Sequence, residues 1–155
     1  MPYILLTLGL VAVDQLVKYL VLQNISLGAH VPFLPGLVEL TYVQNTGAAF
    51  SLFSQHTWLL ALVSLAVSVV LAWAIWKNFF HHPLGKIALT LLLAGALGNW
   101  IDRAFRGFVV DMFNVLFMNF AVFNVADICV VVGGIGAGLY YLCLAHKLEP
   151  QAGGN

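Results

Sequence analysis

Residues Gly98–Asp127 read GNWIDRAFRGFVVDMFNVLFMNFAVFNVAD, and the reading of the whole chain turns on them. The stretch holds three of the six acids, Asp102, Asp111 and Asp127, and both arginines, Arg103 and Arg106. It also holds the asparagines Asn99 and Asn124, set among apolar residues. An ionised group in such surroundings costs several kcal/mol unless it is paired or neutralised. A polar cluster of this kind marks a functional site by default.

The rest of the chain avoids charge. Of 155 residues, 62% are hydrophobic and 8% charged, whereas soluble domains carry roughly 25% charged residues. The composition is that of a membrane protein. Net charge is zero and there is no basic block, so a nucleic-acid partner is not expected. Cys129 and Cys143, if on one helix, stand about 21 Å apart at the helical rise, too far for a disulfide.

Four apolar runs are long enough to cross a bilayer: about residues 3–22, 58–76, 84–101 and 121–144. The first lacks a basic start and contains Asp14 and Lys18, so it reads as a retained span and not as a signal peptide. Those two charges are four apart and share a helix face. Between the first two spans, Pro32, Pro35 and Gly36 break the pattern. VELTYVQN (Val38–Asn45) then alternates as a short strand would, and NTGAAFSLF (Asn45–Phe53) suggests a short interfacial helix. Gly95 and Gly98 permit close helix approach, and Gly134 and Gly138 form a GxxxG in the fourth span. Residues 1–147 are expected to form one membrane-embedded domain, with 148–155 a disordered tail.

Four crossings put both termini on one side. Lys77, Lys86 and Lys147 there, against Arg103 and Arg106 opposite, favour cytoplasmic termini. In either orientation Asp14, Lys18, Asn45, Asn99, Arg103, Asp111, Asn124 and Asp127 converge on one leaflet. Asp111 and Asp127 are the best catalytic candidates. Two carboxylates in a low-dielectric site hold one proton between them, so one can activate water while the other donates to a carbonyl oxygen. The residues alone leave a second reading open, in which both aspartates pair with arginines or cap helix ends. A small membrane transporter or proton pathway using intramembrane acids is the alternative function. The serines lack a GxSxG context, and no acid or Cys lies near the adjacent His81 and His82 in sequence, so neither a serine nor a metal hydrolase is indicated.

Four ordered segments carry a family resemblance: VDQLVKYLV (Val13–Val21), NTGAAFS (Asn45–Ser51), GALGNWIDRAFRGFVVDMF (Gly95–Phe113) and FAVFNVADICVVVG (Phe120–Gly133). The chain resembles bacterial lipoprotein signal peptidase (signal peptidase II), an aspartic membrane protease family. The resemblance implies an α-helical membrane protein of four transmembrane helices, with a small extracytoplasmic β-cradle and a short amphipathic helix. It implies a multi-pass protein of the bacterial cytoplasmic membrane that acts at the outer leaflet. The expected reaction is removal of the signal peptide from prolipoproteins, immediately before the diacylglyceryl-modified Cys. By motif match Asp111 and Asp127 are the catalytic pair, and Asp14, Lys18, Asn45, Gly95, Asn99, Arg103 and Asn124 shape or support the site. No cofactor or metal is implied. The expected partners are diacylglyceryl-modified prolipoproteins and membrane lipids, and the protein is expected to act as a monomer. Ala121 stands where many members have Pro, and Ile128 and Cys129 where many have Ser after the last motif Asp.

Overall fold

The computed structural model describes residues 1–47 and 56–148. The interfacial helix expected after Asn45 falls mostly on 48–55, and the tail from 149 onward, so both lie outside the described residues. Leu148 itself ends the last helix.

Among the described residues, four helices long and apolar enough to cross a membrane form the body of the protein. They are α1 (Pro2–Asn24), α2 (Thr57–Trp76), α3 (Pro83–Arg106) and a continuous final segment, Val125–Leu148. That segment comprises α4 (Val125–Leu139), a π-helical turn (Tyr140–Leu144) and α5 (Ala145–Leu148). Proline opens α1 and α3, where its missing N–H costs nothing and its fixed φ suits the first turn. The large apolar side chains on α1, α2 and α4 stay largely exposed, as Leu62, Val69, Val70 and Ile135 do, which is what a lipid solvent permits.

α3 is the hub, packing on α4, α2 and α1. Glycine makes its closest approach. A Cβ at Gly95 would sit 2.4 Å from the Ala126 carbonyl oxygen, and one at Gly133 would sit 2.7 Å from the Leu92 nitrogen. The expected Gly134/Gly138 contact is therefore displaced by one residue. A Cβ at Gly138 would meet nothing within 4 Å, and Gly134 would only graze Leu92 at 3.9 Å. α4 turns Gly133, not the GxxxG pair, toward its neighbour.

Two span boundaries also move. The third helix continues through the charged residues to Arg106 and stops at Gly107, whose φ of 79° is a left-handed cap. Its charges are tolerated because partners neutralise them. The fourth helix starts at Val125 and not near 121. Asn124 caps it, and Phe123 is still extended, forming a bridge with Phe113.

Between the helices lie β1 (His30–Leu34), β2 (Val38–Asn45) and β3 (Val109–Val115), an antiparallel sheet in the order β1-β2-β3. Sequence alternation marked β2. β1 escaped it because all five of its residues are exposed and Pro32 interrupts it, as an edge strand allows. Val21 at the end of α1 packs with Tyr42, Val110 and Met112, which seats the sheet on the helix ends. The register sets Val43 opposite Asp111 and Asn45 opposite Val109. Asn45 and Asp111 thus reach the same end of the bundle.

Candidate active site

Where α1 meets the end of α3, the polar residues form a closed ionic cluster. Lys18 is wholly buried, with Nζ 2.9 Å from Asp14 and 2.9 Å from Asp102. Asp102 is equally buried and also pairs with Arg106. Two carboxylates and two cations therefore balance. The remaining lone pairs are used as well: Ala126 N donates to Asp14 at 2.8 Å and Val110 N to Asp102 at 3.1 Å. Gln15 was missed in the sequence, although a glutamine beside Asp14 in an apolar span was a signal. Its Nε2 donates to Asp14, Asp102 and the Gly98 carbonyl, each at 3.1 Å, and its Oε1 accepts from Arg106. Gly98 is small for this reason, since a Cβ there would lie 2.7 Å from an Asp14 oxygen.

One donor leads out of this cluster. Lys18 Nζ donates to Asn99 Oδ1 at 3.1 Å, and Asn99 Nδ2 donates to Asp127 Oδ1 at 2.7 Å. Asp127 sits in the first turn of α4 in a capping box. Asn124 Oδ1 accepts from Asp127 N at 2.9 Å, while Asp127 Oδ2 accepts from Asn124 N at 3.2 Å. The same Asn124 turns Nδ2 to Asp111 Oδ1 at 2.6 Å and to Asn99 Oδ1 at 3.2 Å. Asn45 completes the set by donating to Asp111 Oδ2 at 2.9 Å. Its own oxygen accepts from Gly47 N at 3.0 Å, which fixes the turn after β2.

The two aspartates expected to act together are thus brought together, and among the described residues each is hydrogen-bonded by amides and forms no salt bridge. Asp111 is only 2% exposed. Burial, and next the nearby Asp127 charge, push its carboxyl up to about 6, against the opposing hydrogen bonds from Asn45 and Asn124. Both carboxyls line a cavity of about 450 Å³, together with Asn45, Asn99 and Arg103. Its other walls are apolar, from Phe120–Phe123 and from Ile128 and Val130–Val132 on α4. Ala121 and Ile128, two positions at which the chain departs from the common motif, are wall residues; neither is bonded to a carboxylate.

Arg103 stands at the rim. Its Nη2 donates to the Gly47 carbonyl at 3.0 Å, and among the described residues its Nε is buried without a partner. The supporting residues therefore divide. Asn45, Asn99 and Asn124 touch the aspartate pair, Gly95 lets α3 meet α4, and Asp14 and Lys18 act at one remove. His82 accepts from Leu84 N as the cap of α3 and stacks on Tyr140, a structural use. Among the described residues no group of three or more His, Cys, Asp or Glu is placed to hold a metal.

Comparison with known proteins gives the family. The family model described as Signal peptidase (SPase) II matches residues 6–143. The chain belongs to the signal peptidase II family. It is an aspartic-type peptidase and a multi-pass membrane protein. It is 44% identical over 140 residues to a lipoprotein signal peptidase of Enterococcus faecalis, covering 90% of this chain and 87% of that one. The corresponding protein of Streptococcus pneumoniae is 42% identical over 150 residues, covering 97% and 94%. Among solved structures, a bacterial membrane enzyme determined by the in meso method at 2.3 Å superposes with a TM-score of 0.87. That match has 26% identity and covers 99% of this chain and 94% of the other. A second, at 1.9 Å, gives 0.84 with 28% identity over 92% and 94%.

Proposed function

We propose that this peptidase removes the signal peptide from prolipoproteins by cutting just before the diacylglyceryl-modified Cys, with Asp111 and Asp127 activating water between them. One observation carries the reading: two carboxylates from different elements meet on the polar side of an apolar-walled cavity, held by amides that leave them free to exchange a proton. The pair works singly protonated. The ionised carboxylate takes a proton from water as its oxygen attacks the scissile carbonyl, and the protonated one donates to the carbonyl oxygen. The tetrahedral gem-diol collapses as the first carboxyl passes its newly gained proton to the leaving amine and the second takes one back from a diol hydroxyl, which restores the pair. No covalent adduct to the enzyme forms.

The cavity suits such a substrate. Its α4 wall, Ile128 and Val130–Val132, offers an apolar face for acyl chains, while Asp127 in the first turn of α4 and Asp111 on β3 form its polar side. The Arg103 guanidinium at the rim supplies donors for substrate backbone carbonyls. The lysine distribution favours termini in the cytoplasm, which puts the cavity at the outer leaflet of the bacterial cytoplasmic membrane. The transporter alternative gains nothing from the geometry. From residue 40 to residue 101 the chain has no acid, so no ladder of carboxylates crosses the bilayer.

The test is cleavage of a diacylglyceryl-modified precursor by purified enzyme. Wild type is expected to cut the lipidated precursor, and Asp127→Asn to leave it intact. Near-normal turnover by Asp127→Asn would end the assignment of the pair.

A further inference from the structure

The opposite end of the bundle holds a second cavity that the peptidase reading does not use. It measures about 440 Å³ and lies between the start of α1 and the end of α2, over α3. Tyr3 and Thr7 form one wall, Ala72, Ile75 and Trp76 the other, and Leu93 the floor. α1 and α2 each pack on α3 and not closely on each other, so a lengthwise groove remains between them.

Its rim is basic on both sides. Lys86 Nζ lies 5.8 Å from the centroid of the Tyr3 ring on one wall. Lys77 Nζ lies 4.6 Å from the Trp76 ring centroid on the other. Each ammonium thus lies within cation–π range of an aromatic residue that lines the groove. Asn78, in a left-handed conformation with φ 53°, adds an amide at the same mouth. No acid occurs in residues 1–13 or 40–101, which include the groove walls, floor and rim. A groove of acyl-chain character below two lysines matches one chemistry: basic pockets between membrane helices bind anionic lipid headgroups.

We infer that this groove binds an anionic phospholipid of the leaflet on the side of the termini, with one acyl chain between α1 and α2 and its phosphate at Lys77 and Lys86. The lipid fills the gap that the helices leave, bracing α1 against α2 at the end remote from the aspartates.

Native mass spectrometry of the delipidated full chain, mixed with equal amounts of dioleoyl phosphatidylglycerol and dioleoyl phosphatidylcholine, tests this. Wild type should retain the anionic lipid with about tenfold or greater preference, each lysine near a headgroup contributing comparably. Lys77→Gln with Lys86→Gln should bring the preference close to one. Ala72→Phe, which fills the groove, should lose both lipids. Precursor cleavage, read in parallel, reports that each variant is folded, and the surface lysine pair carries the test by itself should Ala72→Phe fail to fold. Equal retention of the two lipids by wild type, or an unchanged preference in the double variant, would overturn the proposal. So would displacement of the lipid by inorganic phosphate alone, or a change of oligomeric mass on filling the groove, which would assign it to a second copy.

Discussion

The protein buries two sets of carboxylates a few residues apart in space and treats them in opposite ways. Asp14 and Asp102 are matched by Lys18 and Arg106, and their remaining lone pairs are filled by Gln15 and by backbone N–H groups. Among the described residues, Asp111 and Asp127 receive hydrogen bonds only from neutral donors, Asn45, Asn99, Asn124 and one backbone amide. Salt bridges to buried cations lock the first set in place between α1 and α3. Amides hold the second set in position without such a bridge. Asn99 joins the two sets by accepting from Lys18 and donating to Asp127. Position passes across that contact while charge stays on one side.

The largest expected effect comes from removing a titrating carboxylate. Asp111→Asn or Asp127→Asn should lower cleavage of a lipidated precursor by about 10²–10⁴-fold or more, the usual range for general acid–base groups, while the protein still inserts. Breaking the locked set acts elsewhere. Lys18→Met leaves Asp14 and Asp102 facing each other with Arg106 alone to compensate, and removing one partner of a buried pair costs about 3–5 kcal/mol. Thermal unfolding in detergent or lipid should reveal that loss. A Lys18→Met protein as stable as wild type would show that the cluster is not what fastens α1 to α3.

How much of this contrast was legible in the sequence follows from the same physics. Charge is so costly in a membrane span that Asp14, Lys18, Asp102, Arg103 and Arg106 announced themselves, and helical spacing already paired Asp14 with Lys18. That Asp102 joins Asp14 in holding Lys18 could not be read. The Lys18–Asp102 contact joins residues 84 positions apart through the packing of α1 on α3. Gln15 escaped because a neutral residue in an apolar span carries a weaker penalty and so a weaker signal. The GxxxG reading failed by one residue because helix rotation is set by what α3 presents, the Leu92 backbone and the Ala88 carbonyl, and no local pattern encodes it. β1 was hidden because an exposed edge strand need not alternate.

A pH profile sharpens the comparison further. With the Asp111 carboxyl raised to about 6, the pair passes from singly protonated to doubly ionised near that pH. The plot of kcat/KM should therefore fall as pH rises above about 6. In kcat the same limb should move higher, because bound substrate excludes water and disfavours the second charge further. Asn45→Ala removes a hydrogen bond that favours the ionised form of Asp111. Its alkaline limb should move up, with a modest loss of rate. A downward move would mean that Asn45 does not act through Asp111.

A fifth carboxylate, outside both sets, bounds the comparison from below. Glu39 lies on β2, where it accepts from Asn114 Nδ2 at 2.7 Å and meets His30 Nδ1 at 2.6 Å. The Asn114 amide, and after it His30, hold its carboxyl below the ordinary Glu value. Because the folded value is depressed, any stability it gives is present above the ordinary Glu range and is lost as pH falls through the folded value. That is the reverse of Asp111, whose raised value makes the ionised form a cost to the fold at higher pH. The exposure of its partner His30 and salt screening make the Glu39 term small. Glu39→Gln should leave precursor cleavage and the alkaline limb near pH 6 where they were, with at most a slight change in unfolding temperature. If it moved that limb as far as Asn45→Ala does, the titrating behaviour would belong to the sheet as a whole and not to the amide-held pair.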